Sequence, residues 1–222
     1  IAVISPESIW IPFIGDFDLR GQVMGSITWN DLFKLFIIPT YVMVVSNLVN
    51  MHSGYNGLQS GLSLIILSTL VTKSWFSDNL GNIYPSFAFL GSIFAFWIYN
   101  KYPSRVFEGN IGSLLFGSII GCVIVIQEYW WFGFFILIPH TFNFILWIMW
   151  LILMKTDSSL YLSSDGSHQK FGKLSSEGHI VVPNRLTLKW IPNYYFNLNE
   201  RQSVNIQYLI TLIFCIAGLY VF

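Results

Sequence analysis

Long apolar segments separated by polar turns constrain this chain more than any other feature. Six segments approach the roughly 20 residues that a membrane-spanning helix needs. They cover residues 32–49, 57–73, 83–99, 111–127, 130–154 and 204–222. More than half of the residues are hydrophobic (54%) and only 10% are charged, which excludes an ordinary soluble domain. We therefore predict an all-α fold, a polytopic membrane helix bundle with about six transmembrane helices.

The chain is predicted to form a single transmembrane domain over residues 1–222, because no internal repeat or long linker divides it. Its fifth apolar segment contains Pro139, which lacks a backbone N–H and should kink or break that helix. The first residue is Ile1 rather than Met, in a polar segment. We expect the domain to be N-terminally incomplete.

The distribution of Lys and Arg predicts which loops face the cytoplasm. With six spans, the connections at 50–57, 100–110 and 155–203 share one side, and residues 1–31 lie on the other. Eight of the 11 basic residues fall on the first side. The positive-inside rule then makes 155–203 a cytoplasmic loop and 1–31 an extracytoplasmic segment. The formal net charge is zero, so nothing indicates binding to nucleic acid.

A first cluster of amides and glycines covers residues 47–58, between two apolar segments. Asn50 and Asn56 offer both donors and acceptors, while Gly54 and Gly57 permit positive φ or a close approach of the backbone to phosphate. These residue types suit a nucleotide-sugar site at a membrane surface. A polar turn at a helix end explains the same pattern.

A second polar cluster covers residues 102–113 and leads into the fourth apolar segment. The first turn of a helix exposes N–H groups that attract anions. The alternative is an ordinary helix start with Asn110 as its cap. Phe107 is either an aromatic platform for a base or an interfacial anchor. A third cluster, residues 179–185, lies on the same predicted side of the membrane.

These motifs resemble the polyprenyl-phosphate N-acetylhexosamine-1-phosphate transferases, glycosyltransferase family 4. The similar segments are Asn47-x-x-Asn50-x-x-Ser53-Gly54-x-Asn56-Gly57-Leu58, Tyr102-Pro103-Ser104-Arg105-Val106-Phe107-x-Gly109 and Pro139-His140-Thr141-Phe142-Asn143-Phe144. Ser53 and Asn56 stand where the bacterial peptidoglycan branch has Asp. The chain therefore most resembles the eukaryotic and archaeal branch, which acts on UDP-N-acetylglucosamine and dolichyl phosphate.

The resemblance implies a ten-helix membrane enzyme, of which this chain is the C-terminal portion. A polyprenyl (dolichyl) phosphate would attack the sugar-linked phosphate of UDP-N-acetylglucosamine, and UMP would leave. This transfer of N-acetylglucosamine-1-phosphate is the first step of lipid-linked oligosaccharide synthesis for protein N-glycosylation. The implied membrane is the archaeal plasma membrane or the endoplasmic reticulum, with cytoplasmic active-site loops, and a homodimer is one implied assembly.

The catalytic Asp pair of the family is expected upstream of residue 1. We therefore predict that this chain alone is inactive, and that N-terminal helices missing from it act in cis or in trans. Of the residues present, Asn50 and Asn110 would bind Mg²⁺, or Mn²⁺ in its place. Glu108 is an alternative ligand because Asn110 stands where the family has Asp. The implied substrate-binding residues are Asn47, Asn56, Gly57, Phe107, His179 and Arg185.

Two other functions stay open. A non-catalytic family member or partner subunit would bind nucleotide or lipid without turnover, and the neutral Asn110 amide favours this alternative because carboxylates are the stronger Mg²⁺ ligands. A transporter or channel would need a charged pathway through the membrane. The predicted spans are almost free of charge apart from Lys34, which argues against a transporter.

Overall fold

The computed structural model describes residues 6–79, 83–156 and 172–222, so parts of the predicted segments 1–31 and 155–203 lie outside the described residues. Helices lie at all six predicted spans, and the mostly helical fold class is confirmed. In chain order the elements are β1 (Ser8–Ile11), β2 (Gly15–Asp18), β3 (Gln22–Met24), β4 (Ile27–Thr28), α1 (Trp29–Leu32), a π-helical turn (Phe33–Ile37), α2 (Ile38–Met51), α3 (Leu58–Phe76), α4 (Tyr84–Asn100), α5 (Gly109–Ile126), α6 (Trp130–Ile136), α7 (Ile138–Thr156), β5 (Lys173–Leu174), β6 (Ile180–Val181), α8 (Trp190–Tyr195) and α9 (Glu200–Val221).

The helices at the six predicted spans differ in how well they suit a membrane. In the described part of the chain, four helices are long and apolar enough to cross a membrane, and they cover Trp29–Met51, Gly109–Ile126, Ile138–Thr156 and Glu200–Val221. Helix α4 has only 17 residues. Helix α3 carries Gln, Ser and Thr side chains, and many of them are buried within the protein. A helix enclosed by other helices can carry such residues because they do not face lipid.

The bundle core lies between α2, α3, α5, α6 and α9. Small residues bring α2 and α5 into close contact, since a β-carbon added at Gly117 would lie 2.6 Å from the Ser46 α-carbon. At Gly121 the same atom would lie 3.1 Å from the Val42 α-carbon. The largest core cluster includes Val45, Val49, Ile66, Leu67, Leu70, Ile120, Ile124, Ile136 and Cys215.

The predicted interruption at Pro139 is confirmed. Helix α6 ends at Ile136 and α7 begins at Ile138, while Leu137 between them has φ −90° and ψ 3°. Pro139 is the second residue of α7, where the N–H that proline lacks would have no partner within the helix. One apolar segment therefore forms two helices.

Short β-hairpins complete the fold, and the all-α prediction did not include them. Strand β1 pairs with β2, β3 with β4, and β5 with β6, all antiparallel. The first hairpin packs against the start of α6, where the Trp131 indole donates a hydrogen bond to the Trp10 carbonyl (2.7 Å). Because these strands are four residues or shorter, they leave little periodic signal in the sequence.

Candidate functional site

Side-chain contacts join the first two predicted polar clusters at one end of the bundle. The Ser113 hydroxyl of α5 donates a hydrogen bond to the side-chain oxygen of Asn50, at the end of α2. Lys189, which precedes α8 and follows the third cluster in the chain, donates to the carbonyl of Ser53. The first and second clusters therefore meet, and the segment after the third reaches the first.

The two predicted metal ligands, Asn50 and Asn110, come from neighbouring turns. The Ser113 hydroxyl that contacts Asn50 also lies 3.0 Å from the Asn110 carbonyl, in the first turn of α5. Asn110 does not cap this helix, which corrects the alternative interpretation. Helix α5 begins at Gly109 with Glu108 at the N-cap position, and the exposed Asn110 follows inside the helix.

The alternative ligand, Glu108, is held by a buried amide. The Asn100 side chain donates hydrogen bonds to a Glu108 carboxylate oxygen and to the Val106 carbonyl, each at 2.8 Å. The Asn100 oxygen in turn accepts a hydrogen bond from Ser60 of α3 (2.7 Å). Asn100 is fully buried, so it fixes the loop before α5 against α3.

Two of the predicted nucleotide-binding residues, Asn56 and Gly57, lie just before α3. The Asn56 backbone N–H donates to a carboxylate oxygen of Glu200 (2.7 Å). Gly57 has φ +76°, and a β-carbon there would lie 2.8 Å from the Lys101 α-carbon. The Phe107 ring is 73% exposed, which leaves its face accessible. Asn47 is exposed one turn before the end of α2 and donates to the Met43 carbonyl (2.8 Å).

His179 and Arg185 make local contacts in the last loop. The Arg185 guanidinium donates to the Tyr195 hydroxyl (2.7 Å), and this hydrogen bond raises the pKa of Arg185. The His179 ring lies 3.5 Å from a carboxylate oxygen of Glu177. Among the polar contacts of the described residues, Lys189 rather than His179 or Arg185 reaches the first motif.

A buried polar network contacts the first motif from the interior of the bundle. The fully buried rings of His52 and His140 lie 4.7 Å apart, and the His52 Nε2 atom lies 3.3 Å from the Gln207 side-chain oxygen. Asn143, part of the third similar segment, donates to the Met51 carbonyl (3.2 Å) and accepts from the Leu188 N–H (2.9 Å). These contacts join α2, α7, α9 and the segment before α8.

The oxygen atoms available where α2 meets α5 are of the kind that bind a hard cation. Asn50 and Asn110 supply amide oxygens and Glu108 a carboxylate, whereas Mg²⁺ also takes water and substrate phosphate oxygens. Within residues 6–79, 83–156 and 172–222, no three His, Cys, Asp or Glu side chains cluster tightly enough to hold a metal. The protein oxygens therefore fit Mg²⁺ in kind, with little negative charge.

The residues 4–128, which contain the first two motifs, match the family model described as glycosyl transferase family 4. The chain belongs to glycosyl transferase family 4. The matched region includes the junction of α2 with α5 and the loop between α2 and α3.

Several named transferases are similar to this chain. A protein of Methanocaldococcus jannaschii named as a glycosyltransferase is 27% identical over 99% of this chain and 70% of that protein. A Sulfolobus acidocaldarius protein named as a UDP-N-acetylglucosamine–dolichyl-phosphate N-acetylglucosaminephosphotransferase is 32% identical over 74% of this chain and 47% of that protein. A phospho-N-acetylmuramoyl-pentapeptide-transferase of Listeria innocua is 31% identical over 45% of this chain and 31% of that protein. The chain thus spans about half the length of the Sulfolobus relative.

Three residues that the sequence reasoning did not identify connect the site. They are Asn100, Lys189 and Glu200. Asn100 was identifiable in principle, because an amide that ends an apolar segment needs a partner when buried. The other two give no such local signal.

Proposed function

We propose that this membrane protein takes part in the transfer of N-acetylglucosamine-1-phosphate from UDP-N-acetylglucosamine to dolichyl phosphate or a related polyprenyl phosphate. The observation that carries the proposal is the hydrogen bond from Ser113 to Asn50. It joins the first family motif to the helix start that follows the second, and the same hydroxyl contacts the Asn110 backbone carbonyl, so the main chain of Asn110 lies near the Asn50 side chain. The name of the Sulfolobus relative supports this substrate pair.

In the proposed reaction, an oxygen of the lipid phosphate attacks the phosphorus that carries the sugar. A new P–O bond forms to the lipid, the P–O bond to UMP breaks, and UMP leaves with the electron pair. Asn56 is proposed to bind the uracil, with the accessible Phe107 ring stacked on it. A Mg²⁺ ion held by Asn50 and Asn110, with Glu108 as the alternative ligand, would offset the charge on the phosphates.

The lipid substrate is proposed to reach this site from within the bilayer. An apolar groove of about 430 Å³ runs between α2, α6 and α7, and its lining includes Asn47. It passes the break between α6 and α7, and its lining includes Tyr41, Leu48, Met51, Phe134, Leu137 and Phe144. A groove with this lining can hold isoprenoid chains while the phosphate stays at the polar end. We propose that this polar end faces the cytoplasm, because most basic residues lie in the connections on that side.

UMP release tests the proposal. The complete gene product that contains this chain is expected to release UMP from UDP-N-acetylglucosamine when dolichyl phosphate and Mg²⁺ are present. Asn110→Asp adds a charge at the proposed metal site, so it should lower the Mg²⁺ concentration for half-maximal rate about tenfold, equivalent to about 1.4 kcal/mol. Asn110→Ala is the matched variant without an oxygen ligand.

Three outcomes separate the hypotheses. Release by the unaltered protein supports the transferase. Nucleotide binding by the unaltered protein without UMP release, with release gained only after Asn110→Asp, would instead indicate a non-catalytic family member with a degenerate site. A folded protein that neither binds UDP-N-acetylglucosamine nor releases UMP in either form would contradict the proposed function.

A further inference from the structure

Lys189 places its ammonium against the inner side of the first motif. The Nζ atom donates a hydrogen bond to the Ser53 carbonyl and lies 5.6 Å from the centre of the Tyr55 ring. Between these residues, a β-carbon at Gly54 would lie 2.5 Å from the same Nζ atom. The lysine therefore touches three consecutive residues of the motif from a segment more than 130 positions later in the chain.

The backbone conformation explains glycine at position 54. Gly54 has φ +109°, a conformation that L side chains rarely adopt. A β-carbon there would also displace the Lys189 ammonium, which lies at the end of a flexible side chain. The lysine therefore packs against a turn whose shape depends on glycine.

A second charged side chain holds the next residue. The Glu200 carboxylate accepts the Asn56 N–H at 2.7 Å. Lys189 and Glu200 both line a pocket of about 310 Å³, together with Gly54, Tyr55 and Trp190. Residues 53–56 are therefore held on one side by two charged groups that α8 and α9 bring to them.

We infer that Lys189 is a positioning residue, which holds residues 53–56 in the conformation that presents Asn56 and Gly57 to the nucleotide. This inference rests on the proposed function, because it concerns the same nucleotide site. Lys189 acts through Ser53, Gly54 and Tyr55 and is not itself placed on the substrate.

The protonation of Lys189 gives this role a pH dependence. Burial lowers the pKa of Lys189 to about 8. A charged donor makes a stronger hydrogen bond than a neutral amine, and the cation also attracts the Tyr55 ring, so the hold on the motif weakens as pH rises through 8. Binding of the nucleotide should weaken in the same pH range.

Other ionisable groups face the lysine from each neighbouring element. Tyr55 and His52 lie in the connection after α2, Lys173 in β5 and Glu200 at the start of α9. Burial raises the pKa of Tyr55 and lowers that of His52, so neither changes charge near pH 8. A change in binding near pH 8 is therefore assigned to the lysine.

The test measures the affinity of the full chain for UDP-N-acetylglucosamine by calorimetry between pH 6.5 and 9.5. Unaltered protein is expected to bind about tenfold more weakly above pH 8 than below it. Lys189→Met should bind about tenfold more weakly at pH 7 and lose the step at pH 8. The pH profile of this variant also reveals any change in affinity that comes from titration of UDP-N-acetylglucosamine itself.

Lys173→Met is the matched control, because Lys173 is an exposed lysine of the same pocket. It should keep both the affinity and the pH step. If Lys189→Met does not fold, Glu200→Ala removes the other anchor and keeps the lysine. That variant should bind more weakly yet retain the step at pH 8.

The outcomes separate this inference from the proposed function. A folded Lys189→Met variant with unchanged affinity and an unchanged pH profile overturns the positioning role alone. A flat pH profile in the unaltered protein also overturns it. Absence of UDP-N-acetylglucosamine binding by the unaltered protein overturns the proposed function, and the inference with it.

Discussion

Glycines with positive φ occupy both family motifs, but their surroundings differ. Gly57 has φ +76° and packs against the backbone of Lys101, whereas Gly109 has φ +57° with open space around its missing side chain. Gly57 also offers its carbonyl to the Tyr208 hydroxyl of α9. The first glycine is therefore required by both conformation and contact, and the second by conformation alone.

Substitution of these two glycines separates strain from steric overlap. Gly109→Ala should cost about 1 kcal/mol of stability from the left-handed backbone alone. Gly57→Ala adds a clash with backbone that cannot move as a flexible side chain can, so its total cost should reach about 2–4 kcal/mol. Thermal unfolding in detergent measures both, and equal midpoints for the two variants would contradict the close approach at Gly57.

The sequence identifies the residues on the motifs better than it identifies their partners. Asn50, Asn56 and Phe107 stand out because amides and aromatic rings beside glycine are unusual at a membrane surface. Their supports depend on tertiary contacts over large distances in sequence, 63 residues for Ser113 with Asn50 and 144 for Glu200 with Asn56. A single sequence contains no local pattern that reports such pairs.

The first turn of α9 links helix capping to the candidate site. The Asn199 side chain accepts the Gln202 N–H (2.9 Å), and the Gln202 side chain accepts the Asn199 N–H (3.0 Å), which together form a capping box. Glu200, between them, holds Asn56. The start of this helix therefore sets the position of one anchor of the nucleotide loop.

Loss of the cap should affect both stability and binding. Asn199→Ala should lower stability by about 1 kcal/mol, because the Gln202 N–H loses its partner, and should lower the unfolding midpoint by about 2–4 °C. It should also weaken UDP-N-acetylglucosamine binding through Glu200. Asn199→Ser preserves a capping oxygen and is the matched control. Identical midpoints and affinities for the two variants would show that the cap does not support α9.

At the level of elements, hydropathy locates the helices but not their surroundings. Apolar length predicts all six positions, and Pro139 predicts the break because proline cannot donate a backbone hydrogen bond. The same criterion cannot show that α3 is enclosed, since a buried helix and a lipid-facing helix both tolerate leucine and isoleucine. The hairpin of β1 and β2 was missed because its order depends on α6, more than 100 residues later.

The molecule has two chemically different ends. The end with the candidate site contains the junctions of α2 with α3 and α4 with α5, whereas the other end has the β1–β2 hairpin packed on Trp130 and Trp131. Tryptophan is typical of the membrane interface. We predict that the end with the candidate site faces the cytoplasm, because most basic residues lie in the connections on that side.

Cysteine labelling tests this orientation in whole cells. In a Cys122→Ala background, Ser26→Cys lies by the β3–β4 turn at the hairpin end, and Ser176→Cys lies on the turn between β5 and β6. Both positions are exposed, and Cys215 is buried. A membrane-impermeant maleimide should label Ser26→Cys in intact cells, but Ser176→Cys only after the membrane is opened. The reverse pattern would place the candidate site outside the cytoplasm.

Helix α3 makes this protein dependent on the order in which it is synthesised. Its polar residues reduce what it gains by partitioning into lipid alone. The Tyr208 hydroxyl, which closes over the start of α3, is translated 151 residues after Gly57. At ~5–20 residues per second that interval is roughly 8–30 s. Until α9 is made, the start of α3 lacks this partner, and the helices that can cover α3 are those translated before α9, of which α4 and α5 pack against it.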